Sequence, residues 1–260
     1  MRITFLGSGG AFTDFRVNYH NNALVYTDEG PVLLDCGLTA VQSMREIGVD
    51  RNALRAVLFT HLHSDHASPE SLIFERFYSG PDGMPAYQTT DLVAPPDVIE
   101  PLGVALRPYL NEFADQSGDF RLGGYEALCR PIETTETEIG GVRFRFFRVP
   151  HVSGGGVDKP AYGVEIDDGR TRVYWSGDTT LSVPWLDAAL NQDRVAQIFH
   201  ECMFMPRFRG TVHTHWEELE PLPDELKARI TLMHYTAVPD WAELGALAGA
   251  ARRHETFEFK

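Results

Sequence analysis

Basic residues are scarce in this 260-residue sequence. Lysine and arginine together number 23 against 37 aspartates and glutamates, which leaves a formal net charge of −14. Phosphate backbones are held by clustered lysine and arginine side chains, so this balance argues against a dedicated nucleic-acid binder. A small anionic substrate is still compatible with it, because a bound metal ion reverses the local electrostatic field.

Cysteines and long apolar runs are scarce as well. The three cysteines, Cys36, Cys129 and Cys202, are widely spaced, which argues against a disulfide framework or a cysteine zinc site and suits a reducing compartment. No apolar run approaches 18 residues, so no transmembrane helix is expected. The first ten residues, MRITFLGSGG, are typical of a strand entering a glycine turn rather than of a signal peptide. We therefore expect a cytoplasmic protein without a membrane partner.

Strand patterns recur through both halves of the chain, with helical patterns between them. Strands are predicted at residues 2–6, 22–27, 32–35, 56–60, 141–149, 162–166, 172–175, 195–200 and 230–234. Helices are predicted at residues 40–47, 70–78, 97–113, 224–229 and 241–252. This order favours one α/β domain over residues 1–260, with two packed sheets and helices outside them. Residues 80–131 are predicted to form an irregular insertion or a lid.

The clearest chemical signal is the segment Thr-His-Leu-His-Ser-Asp-His at residues 60–66, which lies between an apolar strand and a predicted helix. Imidazole and carboxylate groups are ligands for zinc, manganese or iron. Side chains two residues apart on an extended segment point the same way, so His61 and His63 can bind one ion. Asp65 and His66 follow beyond the bend and can face a second ion.

Three further residues of ligand type end predicted strands. His151 follows an alternating strand, Asp178 lies in a Ser-Gly-Asp turn after an apolar strand, and His234 ends another. Each of them alone is more often a core or turn residue than a metal ligand. Their occurrence in one chain with the 60–66 segment is better explained by a shared metal site.

The succession His-x-His-x-Asp-His, His, Gly-Asp-Thr and His resembles the metallo-β-lactamase-fold superfamily of hydrolases. Asp-Cys-Gly at residues 35–37 is similar to the superfamily's early Asp-x-Gly turn. The resemblance implies an αββα four-layer sandwich with two divalent metal ions, zinc in the first place and manganese or iron as alternatives. By resemblance the ligands are His61, His63 and His151 for one ion, Asp65, His66 and His234 for the other, and Asp178 as the bridge. Asp35 would orient the cluster without binding a metal.

Other segments resemble one branch of that superfamily, the ribonuclease Z and phosphodiesterase branch. They are Phe-Leu-Gly-Ser-Gly-Gly at residues 5–10 and the pair Asn21 and Asn22. His-Glu-Cys-Met-Phe at residues 200–204 resembles the branch's His-Glu-Ala-Thr-Phe, and His-Thr-His at residues 213–215 resembles its His-Ser-Thr.

The branch also implies roles for individual residues. A glutamate and a histidine near the metals help to protonate the leaving group, and these roles fall on Glu201 and His213, with His215 as the rival for the second. Asp65, a metal ligand in this scheme, is counted among the catalytic residues too. Relatives in the branch are often dimers, so a homodimer is a further expectation.

One departure from the branch concerns a long, glycine-rich, basic arm that clamps transfer RNA. In many ribonuclease Z enzymes it lies between the third-motif histidine and the bridging aspartate. Here only 26 residues separate His151 from Asp178, and they include the Gly-Gly-Gly turn at residues 154–156. The Arg-Phe-Arg patch at residues 207–209 can meet a phosphate, although three such residues more often form a solvated surface. These features make tRNA 3′-processing a less favoured alternative.

Together these signals predict a dinuclear metal-dependent hydrolase. Two neighbouring divalent ions lower the pKa of a shared water enough to form hydroxide near neutral pH. The favoured function is a phosphodiesterase acting on a small or cyclic nucleotide-like diester, and a small anionic molecule is the expected partner. The first alternative is a carbonyl hydrolase that opens a lactone, thioester or β-lactam. A non-catalytic metal-binding protein is the remaining alternative, which the complete set of seven ligand-type residues disfavours.

Overall fold

Two seven-stranded sheets pack face to face in the computed structural model, which describes residues 1–84, 86, 88–111, 124–154, 157–206, 210–240 and 242–260. The first sheet contains, in spatial order, β16 (Thr256–Glu258), β1 (Arg2–Gly7), β2 (Asn22–Thr27), β3 (Gly30–Leu34), β4 (Ala56–Leu58), β5 (Thr90–Ala94) and β6 (Cys129–Glu133). Strands β3 to β6 run parallel, while β1 is antiparallel to both of its neighbours.

The second sheet also has seven strands and, like the first, contains both parallel and antiparallel pairs. It contains, in spatial order, β15 (Gly249–Ala250), β14 (Ile230–Met233), β13 (Val195–Glu201), β12 (Arg172–Trp175), β11 (Tyr162–Asp167), β8 (Val142–Arg148) and β7 (Glu136–Ile139). Strands β12 to β15 are parallel, and β7, β8, β11 and β12 pair antiparallel. A small separate hairpin joins β9 (Ser153–Gly154) and β10 (Val157–Asp158).

Helices cover the outer faces of both sheets. They are α1 (Ala40–Glu46), α2 (Glu70–Phe77), α3 (Pro96–Asn111), α4 (Tyr125–Leu128), α5 (Val183–Leu190), α6 (Trp216–Leu219) and α7 (Asp224–Lys227), with short 3₁₀ turns at Arg51–Ala53 and Pro81–Gly83. Apolar side chains from α1 to α4 pack on the first sheet, and those from α5 to α7 pack on the second. No helix within the described residues is both long enough and apolar enough to cross a bilayer.

A third apolar layer lies between the two sheets and fixes the four-layer order. Phe5, Leu58, Trp175 and Phe199 are fully buried in it. Val57 faces the helices on the opposite side of β4, so this strand is buried on both faces, which explains its uninterrupted apolar sequence. The predicted αββα sandwich of the metallo-β-lactamase fold is confirmed.

Two sequence-based expectations differ from the structure. The helix predicted at residues 241–252 is wrong where the chain is described: Gly245 and Gly249 adopt positive φ angles of 52° and 142°, and a short strand, β15, forms instead. Glycine favours such angles, and they do not belong to a right-handed helix.

Residues 80–131, expected to be irregular, supply β5, α3 and the start of β6, so part of this range belongs to the first sheet. A lid within it stays a prediction.

Candidate metal centre

The carboxyl ends of several strands deliver the predicted ligands to one edge of the sandwich. Strand β4 leads into the 60–66 segment, while β8, β12 and β14 lead to His151, Asp178 and His234. Because the carboxyl ends of parallel strands meet at the same edge of a sheet, residues far apart in sequence converge there. The structure brings all seven sequence-predicted ligands into two groups that share Asp178.

The first group consists of His61, His63, His151 and Asp178, whose ligand atoms lie within 4.8 Å of one another. Nε2 of His61 lies 3.0 Å from Nδ1 of His63 and 3.6 Å from Oδ2 of Asp178. Nε2 of His151 lies 3.3 Å from the same Nδ1. Atoms bound tetrahedrally to one zinc ion at about 2.0–2.1 Å are about 3.4 Å apart, so this spacing suits a single ion.

The second group consists of Asp65, His66, Asp178 and His234. Nε2 of His66 lies 3.3 Å from Oδ2 of Asp65 and 3.2 Å from Oδ1 of Asp178. Nε2 of His234 lies 3.1 Å and 3.4 Å from the same two oxygens. Asp178 therefore directs Oδ2 to the first group and Oδ1 to the second, as a bridging carboxylate would.

Two buried atoms of the second group indicate that a cation fits there. Nε2 of His66 and Oδ1 of Asp178 have no hydrogen-bond partner of suitable geometry among the described residues. Leaving such atoms unpaired away from water is costly, whereas an ion would bind both. Imidazole and carboxylate donors suit zinc, manganese or iron. The two groups are thus compatible with a dinuclear metal site.

Ring nitrogens directed away from the first group are held by hydrogen-bond partners. Nδ1 of His61 lies 3.1 Å from the hydroxyl of Thr60, and Nδ1 of His151 lies 2.8 Å from the carbonyl oxygen of Val212. Such partners fix the orientation of a ligating imidazole and leave its other nitrogen for the metal. The sequence reasoning missed Val212, because a backbone carbonyl carries no residue-type signal.

Asp35 supports the second group from behind. Its carboxylate is fully buried, lies 2.8 Å from Nδ1 of His66, and accepts hydrogen bonds from the amide and hydroxyl of Thr60, each at 2.8 Å. Asp35 has a φ angle of 57°, an uncommon conformation outside glycine that is found at functional sites. These contacts place Asp35 where the resemblance implied an orienting residue.

The electrostatic environments of the two groups differ. Burial lowers the pKa of His61 well below its ordinary value and that of His63 to about 4, which favours the neutral imidazole that binds metals. Burial also lowers the pKa of His234, but the carboxylates of Asp178, Asp65 and Glu201 outweigh this effect and raise the pKa to about 10. The second group therefore lies in a negative field that a divalent cation would neutralise.

Close backbone packing holds Asp65 in place. The side-chain oxygen of Asn22 accepts a hydrogen bond from the amide of Gly37 at 3.0 Å, and its amide nitrogen donates to the carbonyl of Asp65 at 3.1 Å. A Cβ atom at Gly37 would overlap that same carbonyl. Sequence reasoning used Asn22 only as part of a resemblance and missed this contact.

Glu201 and His213 meet beside the two groups. Nδ1 of His213 lies 2.7 Å from Oε2 of Glu201 and 3.9 Å from Oδ2 of Asp178. Glu201 is fully buried, whereas the side chain of His213 is 21% exposed and open to a substrate.

His215 has a different environment from His213. Its Nδ1 lies 2.9 Å from the carbonyl of Met205, and its Nε2 lies 2.7 Å from the hydroxyl of Thr211. Its backbone amide donates a hydrogen bond to the carboxylate of Glu218 in the first turn of α6. The structure therefore brings His213, and not His215, to Glu201. The patch at residues 207–209 lies outside the described residues, as do Gly155 and Gly156 of the glycine turn.

The buried cysteines offer no alternative nucleophile. Cys36 and Cys202 are fully buried, and burial raises the pKa of both thiols far above the ordinary value. A thiol that stays protonated is a weak nucleophile, so both act as small apolar side chains.

Comparison with known proteins identifies the family of this chain. The model of the family described as anti-Pycsar protein Apyc1 matches residues 1–257. The chain belongs to this family. An anti-Pycsar protein Apyc1 from Paenibacillus sp. (strain J14) is 31% identical over 245 residues, which cover 91% of this chain and 89% of that protein. The cGMP-dependent 3′,5′-cGMP phosphodiesterase A of Dictyostelium discoideum is 25% identical over 243 residues, 89% of this chain but 25% of that protein.

Solved structures share the fold at low sequence identity. The metallo-β-lactamase-fold protein YhfI from Bacillus subtilis has a TM-score of 0.70 at 16% identity, covering 98% of each chain. The short form of human tRNase Z has a TM-score of 0.66 at 15% identity, covering 99% of each. Zn(2+)-bound PqqB from Methylobacterium extorquens has a TM-score of 0.67 at 14% identity, covering all of both. These structures confirm the metallo-β-lactamase fold for this Apyc1-family chain.

Proposed function

We propose that this Apyc1-family protein is a metal-dependent phosphodiesterase that hydrolyses a small or cyclic nucleotide diester. The observation that carries the proposal is the pairing of Glu201 with His213, 2.7 Å apart, beside the two metal-ligand groups. An alkoxide leaving a phosphate diester needs a proton donor, and this pair can supply one. The similarity to a relative named as a 3′,5′-cGMP phosphodiesterase supports a cyclic substrate.

The ligand groups provide the binding positions for two ions. His61, His63 and His151 would hold one, Asp65, His66 and His234 would hold the other, and Asp178 would contact both. When bound, such ions lower the pKa of water and stabilise negative charge that develops on the phosphoryl oxygens. The residues of the chain fix the positions at which this chemistry is supplied.

His213 is placed to hold the proton for the leaving oxygen. Nδ1 faces the carboxylate of Glu201, so Nε2 is the ring atom directed to a substrate. Burial lowers the pKa of His213, but the negative charge of Glu201 outweighs this effect and the pKa is raised. The raised pKa favours the protonated ring, which is the form that a general acid needs.

The chain's charge and loop lengths favour a small substrate over RNA. The net charge is −14, and the segment between His151 and Asp178 contains the hairpin β9–β10 and the strands β11 and β12 in place of a basic arm. A long polyanion would be repelled by this surface. A small diester needs only the metal ions and a few local contacts.

A substrate panel tests the proposal. The zinc-loaded protein is assayed with 3′,5′-cyclic nucleotides, bis-p-nitrophenyl phosphate, a homoserine lactone and nitrocefin. We expect metal-dependent turnover of the diesters that is lost in Asp178→Ala. Faster turnover of the lactone or nitrocefin than of every diester would establish the carbonyl-hydrolase alternative. Turnover of none of the four would favour a non-catalytic metal-binding protein.

A further inference from the structure

Glu201 contacts more than the histidine with which sequence reasoning paired it. It ends strand β13, is fully buried, and lies between two imidazoles. Its Oε2 atom is 2.7 Å from Nδ1 of His213 and 3.3 Å from Nδ1 of His234. Its other oxygen, Oε1, accepts a hydrogen bond from the amide of Thr179. One carboxylate therefore touches the proposed general acid, a proposed metal ligand and the residue that follows the bridging Asp178.

The two nitrogens of His234 face different surroundings. Nε2 lies 3.1 Å from Asp65 and 3.4 Å from Asp178, in the position expected for a metal-binding atom. Nδ1 is buried and has no hydrogen-bond partner of suitable geometry among the described residues, and Oε2 of Glu201 lies 3.3 Å from it. His234 also has a φ angle of 56°, an uncommon backbone conformation for a residue other than glycine that is found at functional sites.

The other histidine of the second group also has a carboxylate beside its Nδ1, at a shorter distance. Nδ1 of His66 faces Asp35 at 2.8 Å, and its Nε2 faces Asp65 and Asp178. A carboxylate behind a ligating imidazole fixes its tautomer and strengthens metal binding. Asp35 serves one histidine in this way, whereas Glu201 faces two.

We propose that Glu201 is a positioning residue for the second metal as well as the partner of His213. It holds the proton of His234 on Nδ1 and so leaves Nε2 for the ion. The Thr179 amide anchors Oε1, which keeps Oε2 between the two rings. The part of this inference that concerns the contact of Glu201 with His213 rests on the proposed function. The part that concerns the contact of Glu201 with His234 involves metal binding alone.

The test replaces Glu201 with an amide of the same size. In Glu201→Gln the side-chain oxygen can still accept from Thr179, but the group facing both imidazoles becomes a donor. We expect affinity for one of the two zinc ions to fall about 10–100-fold, the usual effect of losing such a partner. The readout is competition with a chromophoric chelator, supported by the absorption spectrum of the cobalt-substituted protein.

Two variants serve as matched controls. His213→Ala removes the general-acid contact and the ring packing on His234 and His151, but no proposed metal ligand. It is expected to retain both ions at parental affinity while losing activity. Glu165→Gln changes another buried glutamate, which hydrogen-bonds Tyr174 at 2.9 Å and belongs to neither ligand group. It should leave metal affinity unchanged. Parental affinity for both ions in Glu201→Gln would overturn the proposal.

A measurement on the parent protein covers the case in which Glu201→Gln fails to fold. Nitrogen-15 spectra of the zinc protein report which ring nitrogen of His234 carries a proton. We expect the proton on Nδ1, and a proton on Nε2 would overturn the inference. Failure of the proposed function is distinguishable from failure of this inference. If the parent has no diesterase activity, Glu201→Gln should still lose metal affinity, and His234 of the parent should still carry its proton on Nδ1.

Discussion

Nδ1 of His66 lies 2.8 Å from Oδ2 of Asp35, and both side chains are fully buried. Asp35 thereby orients the imidazole whose opposite nitrogen faces Asp65 and Asp178. We predict that Asp35→Asn weakens metal binding about 10–100-fold, because an amide cannot hold that tautomer as a carboxylate does. Chelator competition measures the change. Asp28→Asn, in the exposed turn at the other end of β3, is the control and should bind metal like the parent.

The two ligand groups predict how many metal ions each chain binds. The purified protein should contain close to two transition-metal ions per chain, and Asp178→Ala should lose at least one, because Asp178 directs an oxygen to each group. Elemental analysis after gel filtration measures the content, with the exposed Asp187→Ala as the control. A parent protein without metal even after reconstitution would contradict the dinuclear interpretation.

Replacing His213 should affect some substrates more than others. If its ring donates the proton, His213→Ala lowers the rate by about 100-fold or more for diesters with poor alkoxide leaving groups. The loss should be smaller for p-nitrophenyl esters, because that leaving group needs little protonation. Metal content should stay unchanged. Equal losses for both classes of leaving group would remove the general-acid role.

The acidic surface predicts poor use of RNA. Precursor tRNA should bind weakly at physiological salt and be cleaved slowly compared with a small diester, since the net charge is −14. Filter binding and gel assays of 3′-end cleavage measure both quantities. Efficient processing of the precursor would restore the tRNA 3′-processing alternative.

Asp167, a carboxylate that belongs to neither ligand group, is expected to contribute to stability. Asp167 is buried and accepts hydrogen bonds from Arg143, Arg172 and Arg194 at 3.1, 2.9 and 3.0 Å. Burial raises the pKa of Asp167, but the arginines outweigh this effect and hold the pKa well below its ordinary value. We predict that Asp167→Asn lowers the free energy of unfolding by about 1.5–3 kcal/mol at pH 7, the usual size for losing hydrogen bonds to a charged group, because Arg143 and Arg194 are partly exposed and stay solvated.

The pH dependence of that difference follows from its sign. The folded-state pKa of Asp167 is lowered, so its contribution is fully present above the unfolded-state pKa of about 3.9 and is lost as the pH falls toward the folded-state pKa. Melting temperatures of parent and variant should therefore converge below about pH 4. Both proteins carry the same metal-ligand residues, so acid effects on them cancel in the difference. Asp224→Asn, which breaks an exposed pair with Lys227, should change little at any pH.

The sequence predicted those parts of the site that depend on local spacing. The 60–66 segment places four ligand-type side chains within one bend, and apolar strands before His151, Asp178 and His234 predict where the chain reaches the sheet edge. Such signals are contained in a few consecutive residues. They needed no knowledge of which strands are neighbours.

Other contacts depend on strand order and could not be predicted in this way. Glu201 reaches His234 because β13 lies between β12 and β14 in the sheet. The residues that connect these strands do not indicate that spatial order. His213 and His215 are two residues apart, so an extended loop would point both side chains the same way. The capping of α6 by His215 separates them. The helix predicted at residues 241–252 is wrong for a local reason, because Gly245 and Gly249 adopt positive φ angles that a right-handed helix does not contain.

The position of the ligands along the chain sets an order of events during synthesis. Residues 61, 63, 151 and 178 complete the first group, whereas the second group needs His234, 56 residues further on. At translation rates of about 5–20 residues per second, this gap lasts roughly 3–11 seconds. During that interval the nascent chain contains every residue of the first group, whereas the second group still lacks His234. The second group is therefore completed later than the first, and the first is the earlier of the two that can bind an ion.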